Sequence, residues 1–192
     1  MKKLLIVFVA VGLITTANAQ KGSTTFGVKA GLNLSSWGGD DADGLKSKIG
    51  FHAGGVVNIP VSSMFSVNPE VLFSLEGAKS EDVDDAKVNL SYINIPVLLQ
   101  YNNPSGFFAE LGPQIGFLMS AKSEPGGTDI KEFLKSTNFS AAIGAGFKLK
   151  SGLGFGARYA LGLGSISDDS DGDIKQNNLN VSVFYSFGGS KK

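Results

Sequence analysis

The chain has no cysteine and only one histidine among its 192 residues. The first absence excludes a disulfide framework, thiolate metal sites and a cysteine nucleophile. It also excludes the N-terminal lipid anchor of bacterial lipoproteins, which needs a cysteine at the cleavage point. Neither sign of charge is in excess. The 17 basic and 17 acidic residues leave a formal net charge of zero, so there is no basic footprint for nucleic acid. Past the N-terminal segment no run approaches the roughly 18 unbroken apolar residues of a membrane helix. Glycine and phenylalanine are what the chain has in quantity, 26 and 14 residues. That composition suits an all-β protein better than a typical enzyme.

The opening residues, MKKLLIVFVAVGLITTANAQ, place Lys2 and Lys3 before an apolar stretch from Leu4 to Ile14. Ala17-Asn18-Ala19 then offers a small-x-small cleavage site before Gln20. This is the pattern of a secretory signal peptide over 1–19, cut between Ala19 and Gln20. It leaves 20–192 as a single domain.

In that domain apolar residues alternate with small or polar ones, the period of two that marks β-strands. Eight segments carry it, within 26–34, 49–59, 65–75, 93–101, 107–119, 139–149, 153–161 and 179–187. Val88, Leu90 and Tyr92 have the opposite parity to Ile93 onward, which suggests a bulge or a strand running past its apolar surroundings. Short connections near 60–64, 102–106 and 150–152 alternate with long ones near 35–47, 77–87, 121–138 and 164–178. An up-and-down meander puts these at opposite ends, and eight strands can close and leave no edge.

Fourteen of the 17 acidic residues lie in the long connections. The other three, Glu70, Glu76 and Glu110, sit on the parity opposite the apolar one, as do Lys29, Lys148 and Arg158. In a lipocalin-like carrier the apolar face lines a cavity; in an outer-membrane barrel it meets lipid. Here the polar parity is crowded with glycine, alanine and serine, as a narrow lumen requires. Aromatics also gather near both strand ends, as in two interfacial girdles. A strand of about 11 residues tilted at 40–45° rises roughly 25 Å, the height of the apolar band. A charge at mid-depth on the lipid face would cost about 2–4 kcal/mol, so Lys29, Glu70, Glu110 and Arg158 belong inside. The expected fold is an all-β, eight-stranded antiparallel up-and-down transmembrane β-barrel, with these four as a polar network in its lumen.

The stretches YINIPVLLQY, FFAELGPQIGFLMSAK, DIKEFLKSTNFSAAIGAGF and GFGARYALGLGSI resemble the PorT-like "porin family" outer-membrane β-barrel domain of Bacteroidota-type envelopes. The resemblance spans essentially the whole of 20–192, and the fold is similar to small barrels of the OmpA and OmpX kind. It implies an integral outer-membrane protein with periplasmic termini and long loops at the cell surface. Where family members often carry a carboxylate before the Ile-Pro pair, this chain has Asn94.

Sharper chemistry is weakly signalled. By parity His52 points inward with no evident serine partner, which favours a hydrogen-bonding lumen residue over a catalyst. DDSDGD at 168–173 alternates acids like a calcium loop but lacks the glycine and glutamate positions of an EF-hand. A solvated acidic loop is the preferred reading over weak divalent-cation binding. Glycine spacings in GAGFKLKSG and GLGFGAR lie inside a hairpin with no following helix, unlike a phosphate loop. The C-terminal alternation ending at Tyr185 and Phe187 looks like the signal read by the outer-membrane insertion machinery.

The expectation is therefore a barrel with a structural, adhesion or partner-binding role and no wide pore. Neither catalysis, a cofactor nor a metal is expected. Outer-membrane lipid, the insertion machinery and an envelope or secretion-system protein are the expected partners. A passive channel for very small solutes is the alternative, and a secreted lipocalin-like carrier the third.

Overall fold

The computed structural model describes residues 23–39, 44–81, 86–168 and 173–187. The expected cleavage point at Ala19 and Gln20 lies outside them. Eight long strands carry the fold: β1 (Thr25–Gly38), β2 (Leu45–Pro60), β3 (Phe65–Ser80), β4 (Lys87–Asn102), β5 (Phe107–Glu124), β7 (Thr137–Lys148), β8 (Leu153–Gly162) and β9 (Lys175–Phe187). Between β5 and β7 lie a two-residue strand, β6 (Thr128–Asp129), and one 3-10 turn (Lys131–Phe133). Every long strand pairs antiparallel with its sequence neighbour, and β1 with β9 completes the ring. The result is a closed eight-stranded barrel. Among the described residues no helix is long and apolar enough to cross a membrane.

The apolar parity points outward. Phe26, Val28 and Leu32 of β1 are exposed beside Val181, Val183 and Tyr185 of β9, while Gly27, Asn33 and Ser35 face in and are buried. This orientation rules out the lipocalin-like carrier, whose apolar face would line the cavity. Aromatic rows mark both margins of the apolar band. Phe26 stands opposite Phe187, and Phe107, Phe147 and Phe155 align across three strands near the short turns. Phe65 and Tyr101 pack with ring centroids 5.5 Å apart at that end, and Phe51 and Phe73 at 6.3 Å toward the other.

The strands run further toward the long connections than the alternation indicates, so those connections shrink to 39–44, 81–86, 125–136 and 163–174. Beyond the lipid band the outward face turns polar and the inward face carries apolar residues such as Ala78, Leu90 and Ala121. The period of two there no longer reads as a lipid-facing strand, but the hydrogen-bond ladder continues. The parity change near Tyr92 combines the two expected features, a bulge and a strand that runs past the lipid band. β4 keeps a single inward parity from Leu90 to Gln100. The bulge lies across from it: Ser91 pairs with Ser120 while Tyr92 pairs with Leu118, which leaves Met119 of β5 as the extra residue. Leu90 and Tyr92 face inward because they belong to an apolar cluster with Leu118, Ala121 and Ile166. Trp37, Ile130, Leu134 and Ile174 pack against it. The long connections dock over this cluster through Lys135 N–H to Ile166 O at 2.8 Å and Asp168 N–H to Phe133 O at 3.0 Å. The long-loop end of the lumen is thus roofed by apolar side chains.

Candidate functional site: a layered polar lumen

Residues Ser66, Asn68, Glu70, Ser74 and Glu76 of β3 descend along the lumen wall and mark its layers. Nearest the short turns, amides and hydroxyls bind one another. Asn58 Nδ2 donates to Ser66 Oγ at 2.8 Å and to Asn68 Oδ1 at 2.7 Å, and Asn102 Nδ2 donates to Ser66 Oγ at 3.0 Å.

The next layer is ionic and contains all four residues proposed for the lumen network. Arg158 of β8 is held between two carboxylates. Its Nη1 and Nη2 each lie 2.8 Å from a different oxygen of Glu70, and its Nε and Nη2 donate to Glu110 Oε1 at 2.8 and 2.7 Å. Lys29 Nζ donates to Glu70 Oε1 at 2.6 Å, and Gln100 Nε2 to Glu110 Oε2 at 3.2 Å. Two cations therefore balance two carboxylates, and none of the four side chains is more than 10% exposed. Forked Arg–carboxylate bonding of this kind is strong and directional. Desolvating four charges is costly, and the layer persists because every charge has a partner.

Two rings lie beside this cluster, on the inward parity although their apolar character argues for the lipid face. Phe108 and Phe184 point inward with their centroids 5.8 Å apart, edge to face, and Lys29 Nζ sits 5.8 Å from the Phe184 centroid. The inward glycines make space for them. A Cβ at Gly154 would come within 2.2 Å of the Phe184 ring, and one at Gly146 within 2.4 Å of Phe108. A cavity of about 40 Å³ remains on the short-turn side, bordered by Lys29, Asn58, Glu70, Phe108 and Lys148. That volume holds a few waters and no solute.

His52 has the serine partner that its sequence context does not disclose. Its Nε2 is 2.8 Å from Ser182 Oγ, and its Nδ1 is 2.6 Å from Asn33 Oδ1. Asn33 Oδ1 accepts a further bond from Asn180 Nδ2 at 2.6 Å, and Asn33 Nδ2 donates to Ser74 Oγ at 2.8 Å. The amide oxygen can only accept, so His52 donates from Nδ1 and receives the Ser182 hydroxyl proton at Nε2. Serine, imidazole and amide align as in a nucleophilic relay. The void bordered by Ser182 measures about 10 Å³, too small for an acyl group and barely the threshold for one water.

Glu76 forms the layer beneath the roof. It accepts from Ser74 Oγ and Asn94 Nδ2, both at 2.8 Å, and from Gln176 Nε2 at 3.2 Å. Gln176 in turn accepts from Trp37 Nε1. The carboxylate at the level of Asn94 is thus supplied by the adjacent strand β3. Sequence parity places Glu76 inward, yet its role as a hub required knowing which amides surround it. Tyr185 and Phe187, the residues of the expected assembly signal, are exposed on the outer face at the end of β9. Asp168 and Asp173 flank a stretch outside the described residues, so the calcium-like motif has no described geometry.

Solved structures that share this architecture include two small surface barrels. Neisserial surface protein A, from Neisseria, superposes with a TM-score of 0.58 at 16% identity, covering 86% of this chain and 100% of that one. Ail, the attachment invasion locus protein of Yersinia pestis, gives 0.50 at 19% identity with coverage of 86% and 100%. At such identities the likeness concerns the fold. No curated protein sequence matches the chain. A family model matches residues 18–168, and with the closed barrel, its outward apolar band and its polar interior it places this chain in the outer membrane protein beta-barrel domain family.

Proposed function

We propose that this integral outer-membrane barrel is a rigid, non-catalytic platform. Its long loops face the cell exterior and its termini the periplasm, and it serves a structural, adhesion or partner-binding role without a wide pore. The observation that carries the reading is the closed lumen. The Arg158–Glu70–Glu110–Lys29 layer, the Phe108–Phe184 pair and the apolar roof all occupy the path a solute would take. An eight-stranded barrel has an interior just wide enough for side chains to fill it. The enclosure of the Ser182–His52–Asn33 relay supports a hydrogen-bonding role over hydrolysis. The stretches IPVLLQY, GPQIGF and FGARYALGL support the finer PorT-like assignment. Ail, whose structure was solved in complex with the heparin analogue sucrose octasulfate, is an example of ligand binding by such a fold. Partners here would be an envelope or secretion-system protein at the loops and the insertion machinery at Tyr185 and Phe187.

Single-channel recording in planar bilayers tests the reading. The wild type is expected to give no steady conductance. A steady, large conductance would overturn it in favour of a channel for small solutes.

A further inference from the structure

Three lysines form one row on the outer wall just beyond the apolar band, on the long-loop side. Lys46 of β2 stands directly opposite Lys79 of β3, and Lys79 directly opposite Lys87 of β4. Cross-strand partners have Cα atoms about 4.5–5.5 Å apart, and like charges so placed destabilise a sheet. The outer two have relief. Lys46 lies 3.3 Å from Glu81, and Lys87 lies 2.9 Å from Glu124. Lys79, exposed between them, has no carboxylate partner among the described residues.

The height of the row matters as much as its charge. On the same three strands the outward residues Ile49, Phe73 and Ile93 belong to the apolar band. At roughly 2.5 Å of height per residue of a tilted strand, the lysine backbones stand about 8–15 Å past them. Hydrocarbon gives way to headgroups within several ångströms, and the lysine stem can bend back along apolar surface. The ammonium groups therefore reach the level of lipid phosphates.

We infer that Lys46, Lys79 and Lys87 form a binding site for the phosphomonoester headgroups of the lipid leaflet on the long-loop side. A phosphate seated over Lys79 replaces two like-charge contacts with charge-assisted hydrogen bonds. The inference rests on the proposed orientation only for which leaflet supplies the lipid. With the long loops outside, the ligand is a phosphorylated glycolipid of the outer leaflet.

The test uses the full barrel refolded in phosphatidylcholine vesicles, with or without added bis-phosphorylated lipid A as the probe. Lys79→Gln is expected to retain about fivefold less lipid A per barrel, since one surface cation contributes about that factor. In vesicles of phosphatidylcholine alone its unfolding midpoint should stay level or rise, because a repulsion has been removed. Four results would overturn the site. They are equal retention by Lys79→Gln, an equal loss from Lys150→Gln at a short turn, displacement of lipid A by inorganic phosphate alone, or a fall in the Lys79→Gln midpoint without lipid A. The last would mean that the chain neutralises Lys79 itself. Such vesicles do not depend on orientation in the cell, so a wrong topology leaves the result intact and is read separately by loop labelling.

Discussion

Arg158 and Glu70 are 88 positions apart in sequence, yet they meet across the lumen in a two-point contact, with both guanidinium Nη atoms 2.8 Å from separate carboxylate oxygens. Strands β8 and β3 do not pair with each other. Their side chains meet only because the sheet closes, so this pair ties opposite walls of the barrel together.

Removing the arginine should therefore cost far more than a surface ion pair. Arg158→Ala leaves Glu70 and Glu110 facing each other with Lys29 as the sole cation. The expected loss is about 3–5 kcal/mol, smaller if water fills the gap. It is read as the unfolding midpoint in detergent, with the folded fraction taken from gel mobility before and after boiling. The double variant Arg158→Met, Glu110→Gln should recover much of the loss, because the Lys29–Glu70 pair that remains is neutral. An unchanged midpoint in Arg158→Ala would remove the network from the account of stability.

The glycines opposite the inward rings make a second, separable prediction. Gly154→Ala places a Cβ within 2.2 Å of the Phe184 ring, so the ring must turn or the strands must part. Overpacking of this kind costs about 1–3 kcal/mol. Adding Phe184→Leu should restore part of the midpoint. If the double variant is no more stable than Gly154→Ala, the clash with Phe184 is not the cause.

Topology can be checked on intact cells. A tag inserted within 125–136 or 163–174 should be reached by antibody, whereas one at 103–106 should be protected until the outer membrane is opened. Surface labelling at 103–106 would reverse the proposed orientation.

The C-terminal strand carries the last prediction. Phe187 ends β9 on the outer face, at the position proposed for recognition during insertion. Phe187→Ala should slow assembly in vivo, measured as the fraction resistant to protease in the outer membrane. The same variant should refold in detergent with little change. Equal loss in both settings would mark Phe187 as a girdle residue alone.

The sequence by itself determined the fold class, the number of long strands and the facing of most positions. A period of two is a local signal, and a lipid-facing barrel writes it on every strand: Phe26 to Leu34 and Leu179 to Phe187 read the same way in one dimension as in three. The charge on the inward parity was equally local, which is why Lys29, Glu70, Glu110 and Arg158 were identifiable as lumen residues. What only the tertiary structure decided are the relationships across the barrel. Which acid Arg158 meets, that Ser182 serves His52, and that Glu76 gathers amides from β4 and β9 all depend on closure and stagger, which no single strand encodes. The same holds for Leu90, Tyr92, Phe108 and Phe184. Their apolar character pointed outward by the rule that fits lipid-facing strands, but the lumen needs filling too. Inward glycines on neighbouring strands let large rings point inside, and that pairing of large with small exists only once the walls face each other.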